Sequence, residues 1–156
     1  MIGQITLAWV YGHVLEYVLH RFVLHNRKIL SGKPFKKHFS GHHGRIRKGG
    51  MLDPDYNQWK KYSFLDSEPL VLFLLTLVHL PVAIYFPYAY VVLLLSGALY
   101  FVVHALTHVA PKIMTHVIPW HSWHHLNKDQ NMNYGVRLPI IDIVAGTYKP
   151  PASMLR

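Results

Sequence analysis

PLVLFLLTLVHLPVAIYFPYAYVVLLLSGALYFVVHALTHVA, residues 69–110, contains no Asp, Glu, Lys or Arg. One crossing of a bilayer takes about 20 apolar residues, so roughly 42 suit two spans and a tight turn. Pro87, in FPYAY, marks that turn. The first leg is about residues 69–86, kinked at Pro81, and the second about 89–108. A hairpin of this kind returns the chain to the side it left. All sixteen lysines and arginines lie outside it, in residues 21–61 and 112–156. Basic flanks around an uncharged hairpin predict a cytosolic location for those flanks, with the extreme N-terminus and the Pro87 turn facing away.

Upstream, ITLAWVYGHVLEYVL, residues 5–19, is apolar apart from His13 and Glu16. About 15 residues make ~22 Å of helix, short for a full span. A membrane helix over about residues 5–25 is predicted, running out into polar sequence. No basic residue precedes it and no small-residue cleavage site follows, so a signal peptide is not expected. Residues 26–68 read as cytosolic or interfacial. HFSGHHG, residues 38–44, is placed at a helix end, loosened by Gly41 and Gly44, and RIRKGG, 45–50, as a turn or loop. LDPDYNQWKKYSF, residues 52–64, mixes Trp59, Tyr62 and Phe64 with Lys60 and Lys61, the composition of a segment lying on headgroups. Residues 111–156 read as a cytosolic cap. In it PKIMTHVIPW connects, and NYGVRLPIIDIVAGTYKPP, too short and interrupted to span, packs under the cap. The expected fold is one all-α domain over residues 1–156, an integral membrane helical protein with about three transmembrane helices.

The charged residues are few and uneven. A net charge of +9 would suit nucleic acid, but its confinement to the flanks points to anionic lipid headgroups instead. Cysteine is absent, which excludes disulfides, iron–sulfur clusters, thiolate-bound haem and cysteine zinc sites. Only seven carboxylates occur and no Glu-x-x-His pair, so a ferritin-like di-iron site is excluded too.

Histidine is what remains. Ten of the thirteen fall into four groups: His20 and His25; His38, His42 and His43; His104 and His108; His121, His124 and His125. Imidazole is mostly neutral near pH 7 and is the commonest metal ligand. Residues three or four apart share a helix face, so His104 with His108, and His121 with His125, can aim at one ion. Neighbours diverge by about 100°, so His42–His43 and His124–His125 suit two ions a few ångströms apart. The wider spacing of His20 and His25 serves different ions or requires a local helix distortion. Ten ligands are too many for one ion and about right for two. Glu16, four residues before His20, either accepts a hydrogen bond from that ring or pairs with Arg21. His13, His79 and His116 stand alone and are read as packed or hydrogen-bonded residues, with His13 and His79 in reach of a substrate.

The chain resembles the fatty acid hydroxylase/sterol desaturase superfamily. EYVLHRFVLH, residues 16–25, is similar to the first histidine box of the fatty acid 2-hydroxylases. HFSGHH resembles the second, and HSWHH with the trailing NYGVRLPIIDIVAGTY resembles the last. FVVHALTH and RKGG look more like the related β-carotene hydroxylases, and Lys112 stands where the 2-hydroxylases place a histidine. The resemblance implies that the ten grouped histidines hold a dinuclear centre of two iron ions, with zinc as a purification substitute. It places Asn133 and Asp142 beside the ligands. It further implies oxygenation of a lipid, most simply a fatty acyl chain, with a carotenoid ring or a sterol/lipid desaturation as alternatives. No cytochrome b5 domain accompanies the boxes, so the electron donor is expected to be a separate ferredoxin or cytochrome b5 type protein. Two rivals of other classes are a non-catalytic metal-binding or transport protein and a di-zinc hydrolase. Transporters carry ligands at the bilayer midplane, and no nucleophile motif supports the hydrolase.

Overall fold

The computed structural model describes residues 1–57 and 68–150, and among them every regular element is helical. α1 spans Ile2–Val18 and continues without a break into a π-helical turn, Leu19–Leu24. α2 (Lys33–Phe35) leads into a second π-helical stretch, Lys36–His43, and that passes directly into α3 (Gly44–Gly49). The second histidine group therefore lies inside a helix. The expected helix end at HFSGHHG and loop at RIRKGG are corrected: the glycines are accommodated within the helix, and the chain turns only at Gly50.

After α4 (Pro54–Asn57), α5 (Glu68–Val78) and α6 (Leu80–Tyr85) form the first leg of the hairpin and α7 (Pro87–Val109) the second. Both proline breaks fall where expected, because proline lacks the N–H that would continue a helix and fits its first turn. Pro81 sits just after the break at His79, and Pro87 opens α7. The legs pack antiparallel. Tyr100 donates to Glu68 (3.3 Å), Leu72 lies on Gly97, and Tyr90 donates to the Thr76 carbonyl (3.3 Å). Among the described residues α7 alone is long and apolar enough to cross a membrane by itself. α8 (Pro111–Val117), α9 (Pro119–Leu126) and α10 (Ile140–Val144) build the cap, so PKIMTHVIPW is mostly helix rather than connector.

α1 and α7 lie side by side and run the same way. Gly12 rests against Ser96, and eight residues later both helices deliver a histidine, His20 and His104, into the same cluster. The absence of a side chain at Gly12 sets this approach: a Cβ there would sit 3.0 Å from the Ser96 hydroxyl and 3.2 Å from its Cβ. A second tie joins the helices to the hairpin, where the Tyr11 hydroxyl donates to His79 Nε2 (2.9 Å) while His79 Nδ1 donates to the Leu75 carbonyl (2.7 Å).

The interior is the reverse of a water-soluble core. His20, His43, His104, His108, His121, His124 and His125 are among the largest fully buried side chains, with only Ile46, Met51 and Val136 as apolar company. Leu7, Val78, Ile84, Tyr85 and Leu95 meanwhile each expose more than 60% of their surface. Soluble proteins rarely leave apolar patches of this extent in water.

Gly12→Ala should cost about 1–3 kcal/mol through overpacking against Ser96, and Ser96→Gly should recover part of that loss. Urea unfolding in detergent micelles measures both, and strictly additive costs would refute the contact.

Candidate metal centre

The two π-helical turns are what gather the histidines. A π-helix closes i→i+5, so residues five apart lie one above the other, whereas in an α-helix they diverge. His25 N–H donates to the His20 carbonyl at 3.1 Å, the i→i+5 bond, and the ring centroids of His20 and His25 are 5.0 Å apart. His38 and His43, also five apart, come together in the second π stretch, with Nε2 atoms 3.1 Å apart. The distortion that the His20–His25 spacing required is thus present, and it occurs twice.

Nine of the ten grouped histidines fall into two nests. His20, His25, His38, His43 and His124 form one; His42, His104, His108 and His125 form the other; within each, one ring nitrogen per residue lies within 4.8 Å of all the rest. Adjacent histidines part as expected: His42 and His43 enter different nests, and so do His124 and His125. The nests adjoin, since the His43 and His125 rings are 4.2 Å apart. The tenth, His121, is fully buried beside the second nest, its Nε2 3.1 Å from that of His125.

The protons on these rings are dictated from outside the nests. His20 Nδ1 donates to the Tyr134 carbonyl (2.6 Å), His124 Nδ1 to Met132 (2.6 Å) and His108 Nδ1 to Met51 (3.0 Å). His42 Nδ1 donates to Asp53 (2.7 Å), and His104 Nδ1 lies 2.7 Å from Glu68. A neutral imidazole carries one proton, so each Nε2 is left with a lone pair directed inward. Nε2 of His42, His104, His108 and His124 is buried without any hydrogen-bond partner, as are Nδ1 of His43, His121 and His125 and both nitrogens of His25. Burial of so many unpaired acceptors is expensive unless a cation satisfies them. Two nitrogens bound to one ion at ~2.1 Å and a right angle would stand ~3.0 Å apart. The His20–His38 and His38–His43 Nε2 separations are 3.0 and 3.1 Å. The residues present therefore fit two metal ions.

Burial and neighbouring imidazoles push His38, His43 and His125 well below the usual 6.5. His121 and His124 are lowered the same way. Burial also lowers His42, with Asp53 pulling the other way. Burial would raise the Asp53 carboxyl, but hydrogen bonds from His42 and Arg45 hold it well below the carboxylate range.

The partners outside the nests are only partly those expected. Glu16 neither touches His20 nor pairs with Arg21. It takes Arg137 Nε (2.6 Å) and the amides of Val136 (2.5 Å) and Arg137 (3.2 Å), because the cap loop lies closer to it than either expected partner. Arg21 instead reaches the Tyr17 hydroxyl and lies against the rings of Phe22 and Tyr134. Asp142 and Asn133 act on that same loop, not on an imidazole. Asp142 accepts from the amides of Tyr134 (2.9 Å) and Gly135 (2.7 Å) and from Thr147 (2.8 Å). Asn133, in the left-handed conformation that asparagine tolerates, ties the loop to Lys149. Two carboxylates thus hold four consecutive amides, 134–137, and aim the Tyr134 carbonyl at His20. Gly135 is obligatory, since a Cβ would run into the Leu138 carbonyl and stand 3.1 Å from Asp142.

Asp53 and Glu68 are the residues that sequence reasoning missed. The only available signal was their rarity: two of seven carboxylates, each at the edge of an apolar or basic tract. The stretch assigned to headgroups, 52–64, is corrected in its described part, where Asp53 is buried against His42 and Tyr56 against His104 and His108; residues 58–64 lie outside the described residues. Of the lone histidines, His79 is hydrogen-bonded and His13 packs edge-on against Trp9 at 4.5 Å, both as expected, and His116 is exposed.

Asp142→Ala frees two loop amides and should weaken metal binding about 10–100-fold; titration of the stripped protein with Zn²⁺ reads this, and an unchanged affinity would remove the loop from the centre. The stripped protein should also lose stability as pH falls. Folded-state pKa values depressed below 6.5 mean that only the unfolded chain takes up protons there, so stability is full above about pH 7 and declines below about 6.5. A melting temperature flat from pH 8 to 5 would contradict that linkage.

Comparison with known proteins accords with this geometry. No curated protein and no solved structure matches the chain. The family model described as fatty acid hydroxylase matches residues 5–147, which is most of the sequence, and the chain belongs to the fatty acid hydroxylase family.

Proposed function

We propose that this protein is a membrane-embedded oxygenase that hydroxylates a C–H bond of a lipid, a fatty acyl chain in the simplest case. One observation carries the reading: buried imidazoles, with Nδ1 facing Tyr134, Met132, Met51, Asp53 and Glu68, turn their Nε2 atoms into two adjoining nests, and Nε2 of His42, His104, His108 and His124 has no hydrogen-bond partner there. Family membership supports oxidoreductase chemistry at such a centre. Two iron ions held there would supply O₂ activation, with one oxygen atom entering the C–H bond and the other leaving as water on delivery of two electrons.

The chain's own part is to bind, orient and keep dry. Histidines from the first π turn and its end, the second π stretch, α7 and α9 would hold both ions. Tyr56, whose hydroxyl donates to Glu68 (2.8 Å) and lies 3.2 Å from His104 Nδ1, holds that carboxylate in register with its ring. Burial of the nests excludes water that would otherwise compete for the ligands.

The exposed apolar surfaces of α1, α5, α6 and α7 support a multi-pass topology, with α1 and its π turn, the α5–α6 leg and α7 as three membrane segments. Arg27, Lys28, Lys33, Lys36, Arg47, Lys48 and Lys128 are exposed at the histidine end, and this favours a cytosolic location for the centre by the positive-inside tendency. The same basic face suits anionic headgroups and an acidic ferredoxin or cytochrome b5 type donor.

Single substitutions His42→Ala and His124→Ala, one from each nest, should abolish hydroxylated-lipid formation in cells expressing the protein. Freshly purified protein should contain two iron ions per chain, or zinc where iron has been displaced. Retained product from both variants would overturn the assignment, whereas metal without any change in the lipid profile would favour a non-catalytic metal-binding protein.

A further inference from the structure

The two nests are alike in imidazoles but not in what stands behind them. In the nest of His20, His25, His38, His43 and His124, two rings turn Nδ1 to backbone carbonyls, those of Tyr134 and Met132. None of its five rings is hydrogen-bonded to a carboxylate among the described residues. Asp142 reaches that side only through the amides of Tyr134 and Gly135 and the Thr147 hydroxyl. The Arg21 guanidinium lies 5.7 Å from the centre of the Tyr134 ring, and that ring packs edge-on against His20 and His25. A positive charge thus stands one ring away from the carbonyl-backed nest.

The nest of His42, His104, His108 and His125 is backed by carboxylates instead. His42 Nδ1 meets Asp53 and His104 Nδ1 meets Glu68, each at 2.7 Å. Asp53 is fully buried, and its cation Arg45 (3.1 Å) is 43% exposed and shared with Asp55 (2.7 Å). Solvent screens that cation, so it offsets Asp53 only in part. Glu68 accepts from the hydroxyls of Tyr56 and Tyr100 and faces His104, but meets no Lys or Arg among the described residues. Two carboxylates against one shared, solvent-facing guanidinium leave this nest with excess negative charge. Buried charge of that kind is costly unless a cation stands close by.

We infer that Asp53 and Glu68 make the nests unequal, so that the carboxylate-backed nest takes the first metal ion and holds it more tightly, and the carbonyl-backed nest takes the second. Two cations a few ångströms apart repel, so one nest fills before the other; the carboxylates decide which. Both act through a ring. They are positioning residues for His42 and His104 that also supply negative charge and raise the donor strength of those imidazoles. Donor number favours the other nest, five rings against four, but His121, its Nε2 3.1 Å from that of His125, evens the count. The division follows the chain: the α3–α4 link and the start of α5 serve one nest, the loop between α9 and α10 the other. The inference rests on the two-ion reading above but not on oxidation of a lipid.

Stepwise metal titration tests it. The full chain, stripped of metal in detergent micelles, is titrated with Zn²⁺ by calorimetry and with Co²⁺ by visible absorption. His108→Ala should weaken binding of the first equivalent about tenfold or more, whereas His25→Ala should leave that step within a few-fold and weaken the second. Asp53→Asn and Glu68→Gln keep an oxygen that accepts from the ring but lose the charge. Each should weaken the first equivalent on the order of tenfold. The loss expected of Asp142→Ala should fall on the second equivalent. Arg45→Gln separates charge from mere support. Asp53 is still held by His42 and by the Asp55 amide (3.1 Å), so removing the guanidinium should tighten the first equivalent several-fold, where a purely mechanical role predicts weakening. Weakening by Arg45→Gln, or a first equivalent more sensitive to His25→Ala than to His108→Ala, would overturn the inference and leave the oxygenase reading intact. Failure of every form to bind either ion would overturn both. The expected order of filling in a protein that forms no hydroxylated lipid would support the inference and refute the oxygenase reading alone.

Discussion

A neutral imidazole has one proton and two nitrogens, and when it is buried both nitrogens must be accounted for. This constraint shapes the molecule. Backbone carbonyls of Met51, Met132 and Tyr134 and the carboxylates of Asp53 and Glu68 take the outer protons of five rings. Those acceptors come from three places: the link between α3 and α4 (Met51, Asp53), the first residue of α5 (Glu68) and the loop between α9 and α10 (Met132, Tyr134). Two segments between helices and the start of α5 therefore set ring orientation and protonation. Without them the same histidines would be free to turn either nitrogen inward.

The helices solve a separate problem, which is how to bring ligands of awkward spacing onto one side. Two π-helical turns stack residues five apart, and adjacent histidines split between neighbouring nests. The close approach of α1 and α7 at Gly12 then sets His20, in the π turn that continues α1, level with His104 of α7. The price is an inverted distribution of polarity, imidazoles inside and leucines outside, which a hydrocarbon solvent tolerates and water does not.

The cap loop 133–137 links the two parts. Asp142 and Glu16 hold its four amides, its carbonyl at Tyr134 orients His20, and Arg137 reaches back to the Gly12 carbonyl on α1 at the point of closest helix approach. A polar network wholly satisfied in this way rigidifies its surroundings.

The sequence by itself determined the all-helical hairpin, with its breaks at Pro81 and Pro87, and the identity of the histidines that converge, because apolar length, proline geometry and i, i+4 spacing are local properties. It also foretold that His42 and His43, and His124 and His125, would part company. Tertiary structure alone decided which histidine joins which nest. It also decided that His20 and His25 meet through a π turn, and that Asp53 and Glu68 are the carboxylates at the rings while Glu16, Asn133 and Asp142 brace a loop. Those choices depend on residues tens of positions apart, Glu16 with Arg137 or His108 with Met51, and no spacing within a single segment encodes which distant acceptor will stand beside a given ring.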